Sequence, residues 1–154
     1  DEILPPYWNR GNPVDLVGEI NYEVATKVVE MLAEWDGCDA VIHLGVVGLQ
    51  SLIENFGKSC VILQPELSDL IYQRRDYVDE MESIYIEHTI NLMEKYRKPI
   101  LGVRLLDGQR KQAVAEIAGK EFKAVSFPTP ERAVNALAAM VRYGKWLKRE
   151  GIQK

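Results

Sequence analysis

The residues best placed for chemistry lie where a compact apolar run, Asp39-Ala40-Val41-Ile42-His43-Leu44, breaks into Gly45-Val46-Val47-Gly48-Leu49-Gln50-Ser51. Two glycines between a strand and a helix start can leave backbone N–H groups of Gly45, Val46, Val47, Gly48, Gln50 and Ser51 facing an anion. The spacing is neither GxGxxG nor a P-loop, so from the residues alone an ordinary tight strand-to-helix connection is the stronger reading. His43, one residue before the strand ends, can face the same crevice and exchange a proton, or sit hydrogen-bonded within the sheet. Asp15, and Asp107-Gly108 in the turn after a later strand, are further candidates to line it.

Other reactive side chains have structural explanations. His88 shares a helical face with Ile84, Tyr85 and Leu92 and reads as a core or interface histidine. Asp79, Glu80 and Glu82 fall in what reads as a helix's opening turn, where the dipole favours acids. Arg74-Arg75 precede acidic residues and read as local ion-pair partners. Cys38 and Cys60 have no metal or disulfide spacing and read as small buried hydrophobes. No GxSxG elbow or other Ser or Cys nucleophile motif accompanies the histidines. The sequence assigns no catalytic residue and no metal site.

The elements that position these residues alternate. Val14–Leu16 is predicted as a short strand, Tyr22–Trp35 as a helix with Val24, Val28, Met31, Leu32 and Trp35 on one face, and the run to Leu44 as the second strand. Lys98-Pro99 stops a long helix, and Ile100–Leu105 follows as a buried strand. Gln109–Ala118 reads as a helix, Ala124–Phe127 as a last strand, and Cys60–Leu63 as a possible fifth. Thr129-Pro130-Glu131 combines a cap, a first-turn proline and a first-turn acid, so a helix starts there, with Val134, Leu137, Ala138 and Val141 as its buried stripe.

This alternation predicts a three-layer α/β sandwich, a flavodoxin-like (Rossmann-like) parallel sheet with helices on both faces. Ligands of such sheets bind outside the strands' carboxyl ends, which selects the loops 17–21, 45–51, 106–109 and 128–130. Between His43 and Lys98 the crossover exceeds the roughly 30 residues of a simple βαβ unit, so an inserted helical segment, about 52–75, is expected. Its continuation, residues 76–97, is apolar around much of its circumference. That helix is either sandwiched or an interface, with a homo-oligomer as one outcome.

At 154 residues and 17.5 kDa, 47% hydrophobic and 27% charged, the chain is one globular domain. A formal net charge of −4 disfavours nucleic acid and anionic membranes, and no membrane span or secretory signal is read, so a cytoplasmic location is expected. Residues 1–11, with Pro5, Pro6, Trp8 and Gly11 and no periodicity, read as a linker, and 12–150 as the domain.

Asn12-Pro13-Val14-Asp15-Leu16, Asp39-Ala40-Val41, Lys98-Pro99-Ile100 and Thr129-Pro130-Glu131-Arg132-Ala133-Val134 with Leu137, in this order, resemble a flavodoxin-like domain of the NDP-forming acyl-CoA synthetases, relatives of succinyl-CoA ligase. Val103-Arg104-Leu105-Leu106-Asp107-Gly108 is similar to the matching strand and loop of the succinyl-CoA ligase beta subunit. The resemblance implies a ligase making acyl-CoA from a carboxylic acid, CoA and ATP, with magnesium, through an acyl phosphate and a phosphohistidine. It implies as partners a CoA-binding, phosphohistidine-bearing domain and an ATP-grasp domain of the same enzyme. The helix start that such a domain turns to the phosphate maps to Gly45–Gly48. A phosphohistidine loop is absent from the sequence, and Glu87-His88-Thr89-Ile90 lacks the glycine that would follow, so the chain alone is expected to be inactive. The alternative is a binding or regulatory module, or a small-ligand protein, that shares the fold.

Overall fold

The structure is a computed structural model that describes residues 3–18, 21–57, 64–104 and 114–152, without the side chains of residues 65, 66, 68 and 72. Its elements are α1 (Tyr22–Glu34), β1 (Val41–Leu44), α2 (Leu49–Gly57), α3 (Pro65–Tyr96), β2 (Ile100–Val103), β3 (Val114–Ala115), β4 (Ala124–Phe127) and α4 (Pro130–Arg149). The sheet order is β1-β2-β4-β3. β1, β2 and β4 are parallel, with His43 beside Gly102 and Gly102 beside Ser126, whereas β3 is antiparallel to β4. The molecule is therefore an α/β protein with an open, mostly parallel sheet, and no described helix is long and apolar enough to cross a membrane.

Local chemistry explains where most elements start and stop. Asn21 caps α1 by accepting the Glu23 N–H at 2.9 Å. The Lys98 ammonium donates to the Ala33 and Trp35 carbonyls at 2.8 and 2.9 Å, placing a cation at the α1 C-terminus. Arg97 ends α3 in the left-handed region, φ 56°, and Pro99 follows to lead directly into β2. Thr129 accepts the Arg132 N–H at the start of α4, where Pro130 and Glu131 stand as the motif predicts.

The core lies between the sheet, α1 and α3. Tyr85 and Ile90 of α3 are fully buried, with Leu92, Met93, Val41 and Ile100 around them. The buried face of α1 is Tyr22, Ala25, Val29 and Ala33, rotated from the predicted stripe, and Met31 and Trp35 are exposed. The two alanines explain the rotation, because their small side chains let α1 pack closely on α3.

Three expected elements differ. Val14–Leu16 forms no strand: Asp15 Oδ1 accepts the Val17 N–H at 2.8 Å, and positive φ at Val17 and Gly18 turns the chain away directly after it. Leu16 still packs on the core. The C-terminal part of the expected helix 109–118 is instead β3, where Val114 and Ala115 pair with Val125 and Ala124, and a turn at Ala118-Gly119, φ 81° at the glycine, returns the chain. A β-branched residue beside an open sheet edge is better placed in the ladder than in a short helix. In α4 the fully buried residue is Ala133, while Leu137 and Ala138 are half-buried and Val134 and Val141 are exposed.

The long crossover contains two helices. α2 begins before the expected insertion and α3 starts at Pro65, eleven residues ahead of the helix read from periodicity. The possible strand Cys60–Leu63 and the whole of the 106–109 loop lie outside the described residues. Arg75 pairs across to Glu54 of α2 at 3.6 Å, not with the acids that follow it in sequence.

Ile90→Ala should lower unfolding stability by about 2–5 kcal/mol, because a fully buried branched side chain leaves a cavity against α1 and the sheet. Urea unfolding at neutral pH measures it, and a loss below about 1 kcal/mol would place Ile90 outside the core.

Candidate functional site at the carboxyl edge of the sheet

β1 ends at Leu44, and Gly45, φ 75°, starts the turn that leads to α2. Its N–H donates to the Val103 carbonyl at 3.0 Å, so the turn is tied to β2. Gly48, φ 91°, is constrained twice: its backbone favours glycine, and a Cβ there would lie 3.2 Å from the Arg104 Cβ. The Gly48 N–H donates to the Glu82 carboxylate of α3 at 3.0 Å. An anion thus already occupies the start of α2, supplied by the chain itself. The amides of Val46 and Val47 have no acceptor among the described residues. Gln50 and Val47 are buried, Val46 and Ser51 half-buried, and the Ser51 N–H closes the first turn on the Gly48 carbonyl at 3.1 Å.

Behind the turn lies His43. A Cβ at Gly102 would sit 2.9 Å from His43 Cε1, 3.1 Å from Nε2 and 3.1 Å from the Ser126 Cβ, so the imidazole lies across β2 in the space a side chain would fill. Tyr85 meets the ring edge-on, centroids 5.2 Å apart, and Tyr22 lies 6.2 Å beyond Tyr85. His43 Nδ1 and both tyrosine hydroxyls are enclosed with no hydrogen-bond partner among the described residues. Burial holds the His43 imidazole down at about 4 from its ordinary 6.5, so it is neutral at pH 7. Burial, then the Glu82 charge, pushes the Tyr22 hydroxyl up, and burial pushes Tyr85 up.

Arg104 follows β2 and donates from Nε to the Ser126 Oγ at 3.0 Å. With His43, Thr89, Gly102 and Ser126 it lines a cavity of about 20 Å³, room for little more than one water-sized molecule. A wider cleft of about 540 Å³ adjoins it through Arg104, with Asp79, Glu82, Glu87 and Glu116 on its walls. Among the described residues no three His, Cys, Asp or Glu side chains converge on a metal position.

The structure brings His43 together with the 45–51 turn. Asp15 instead spends its carboxylate on the Val17 amide in a local turn, and Asp107 and Gly108 lie outside the described residues. His88 is half-buried, with Nε2 enclosed and without a partner among the described residues. Sequence reasoning missed Glu82, Tyr85, Arg104 and Ser126 as neighbours of the turn, since α3 and β4 reach it only through the fold. Gly102 was the available signal: a glycine inside a buried strand marks close approach.

Comparison of the chain with family models, with characterised proteins and with solved structures finds no match.

The depressed His43 pKa has a defined consequence for stability. The unfolded chain takes up this proton near pH 6.5 and the folded chain only near 4, so the contribution is complete above about 6.5 and is lost as pH falls toward 4. Wild type should lose on the order of 3 kcal/mol more than His43→Phe across that window. Parallel urea titrations at pH 4 and 7 measure the difference, and equal losses would show that the imidazole is solvated.

Proposed function

We propose that this chain is the flavodoxin-like domain of an NDP-forming acyl-CoA synthetase, in which the Gly45–Gly48 turn faces the phosphate of the phosphohistidine step. The three-layer reading is part of this proposal. It is supported by α1 and α3 packing on each other while α4 packs on β1, β2 and β4. The carrying observation is the turn itself: two positive-φ glycines at a carboxyl strand end, a helix start behind them, and a carboxylate already bound to the Gly48 amide. A group that attracts one oxyanion at a helix start is suited to another.

On this reading the chain supplies a wall, not the reacting groups. CoA and magnesium nucleotide belong to the CoA-binding and ATP-grasp domains of the same cytoplasmic enzyme, as does the histidine that carries the phosphate. Enclosure under Tyr85 and across Gly102 keeps the His43 imidazole from that role, and it instead fixes the floor beneath the turn. Val46 and Val47 offer amides to an incoming phosphate, while Glu82 opposes it by charge and competes for the Gly48 N–H.

Glu82→Gln should therefore tighten phosphate binding about three- to tenfold, since it removes a negative charge from the anion position and weakens the competing acceptor. Calorimetric titration of wild type and variant with inorganic phosphate tests this. Absence of phosphate binding by both proteins, or equal affinities, would contradict the assignment.

A further inference from the structure

Two exposed helical stripes on this chain have opposite charge and no covering element among the described residues. On α3, Leu70, Tyr77 and Ile84 recur at seven-residue spacing, and Glu80 and Glu87 fall beside them at the same spacing. Leu70 is 52%, Tyr77 53% and Ile84 53% exposed. On α4, Val134 and Val141 are 53% and 48% exposed, and the exposed Lys145 and Lys148 continue the same side of the helix. The helices differ in charge as wholes: α3 carries eight acidic against three basic residues, and α4 five basic against one acidic.

Seven-residue apolar spacing is the pattern by which one helix packs along another. Leu70 to Glu87 runs about 26 Å and Val134 to Lys148 about 21 Å at 1.5 Å per residue, so the α3 stripe is longer by about one turn. Laid in the same direction with the valines on Leu70 and Tyr77, Lys145 falls beside Glu80 and Lys148 level with Ile84, one turn short of Glu87, a gap of about 4.5 Å that its flexible stem spans. They cannot meet within one molecule, because α3 is packed against α1 and α2 and α4 is packed against the sheet.

We propose that α4 of one copy of this chain docks in parallel on the Leu70-Tyr77-Ile84 stripe of α3 in a second copy. The occupant is a second copy because the chain itself carries the seven-residue apolar spacing and the opposite charge that complement the α3 stripe. Each copy carries both surfaces, so the contact closes as a two-fold dimer where both pairs form at once and continues into a ring or short chain where only one does.

Sedimentation velocity of the full chain over a concentration series tests the proposal. Association should strengthen with concentration and weaken as salt is raised, since exposed charges are screened. Lys145→Glu with Lys148→Glu, and separately Glu80→Lys with Glu87→Lys, should each weaken association by at least about tenfold. All four side chains are exposed, and circular dichroism verifies that both variants stay folded. An equimolar mixture of the two should associate again, because each basic stripe now finds an acidic one on the other protein. A wild type that stays monomeric throughout, association unaffected by either reversal, or a mixture that fails to associate would each overturn the proposal.

Discussion

At position 102 the chain can hold no side chain. His43 from β1 already fills the space above that glycine, 2.9 Å from where a Cβ would stand, and Ser126 of β4 closes it from the other side. Three parallel strands are thereby locked through one imidazole, which Tyr85 of α3 covers edge-on. The carboxyl edge of the sheet inherits its geometry from this contact. The Gly45 turn hangs from β2 by a backbone hydrogen bond, and Arg104 reaches across to Ser126. Enclosure keeps His43 neutral, so the floor of the site contributes shape without charge at neutral pH.

Above this neutral floor the electrostatics come from the helices. The start of α2 presents amides, and Glu82 of α3 brings a carboxylate to Gly48. The same acidic helix lines the adjoining cleft with Asp79, Glu82 and Glu87. One element therefore does two things: its inner face builds the core through Tyr85 and Ile90, and its polar face sets the charge met by anything that approaches the turn. The proposed role as an accessory wall rests on this arrangement, in which the Gly48 amide is already paired with Glu82 and an incoming anion has to displace that carboxylate.

Much of this could be read from the residues. Lys98-Pro99 and Thr129-Pro130-Glu131 mark boundaries by local chemistry, and the fold places them where the motifs say. The turn at Gly45–Gly48 was legible because glycines after a buried strand need no tertiary information. Long-range approach was not legible. Val14–Leu16 looks like a strand until Asp15 turns back on the Val17 amide, and Val114-Ala115 looks helical until β4 offers a ladder. The α1 and α4 stripes were misplaced for one reason: alanines at 25, 33 and 133 take the closest contacts, and hydrophobicity alone ranks larger neighbours above them. Glu82 is 34 residues from the amide it binds, a pairing no local pattern encodes.

The central claim is that the Gly45–Gly48 turn is the phosphate-facing surface of the domain. Its most direct test is an acyl phosphate titration followed by amide chemical shifts in the NMR spectrum of the full chain. Saturable shifts are expected at Val46, Val47 and Gly48. Shifts confined to the 52–75 segment, with the turn unmoved, would contradict it.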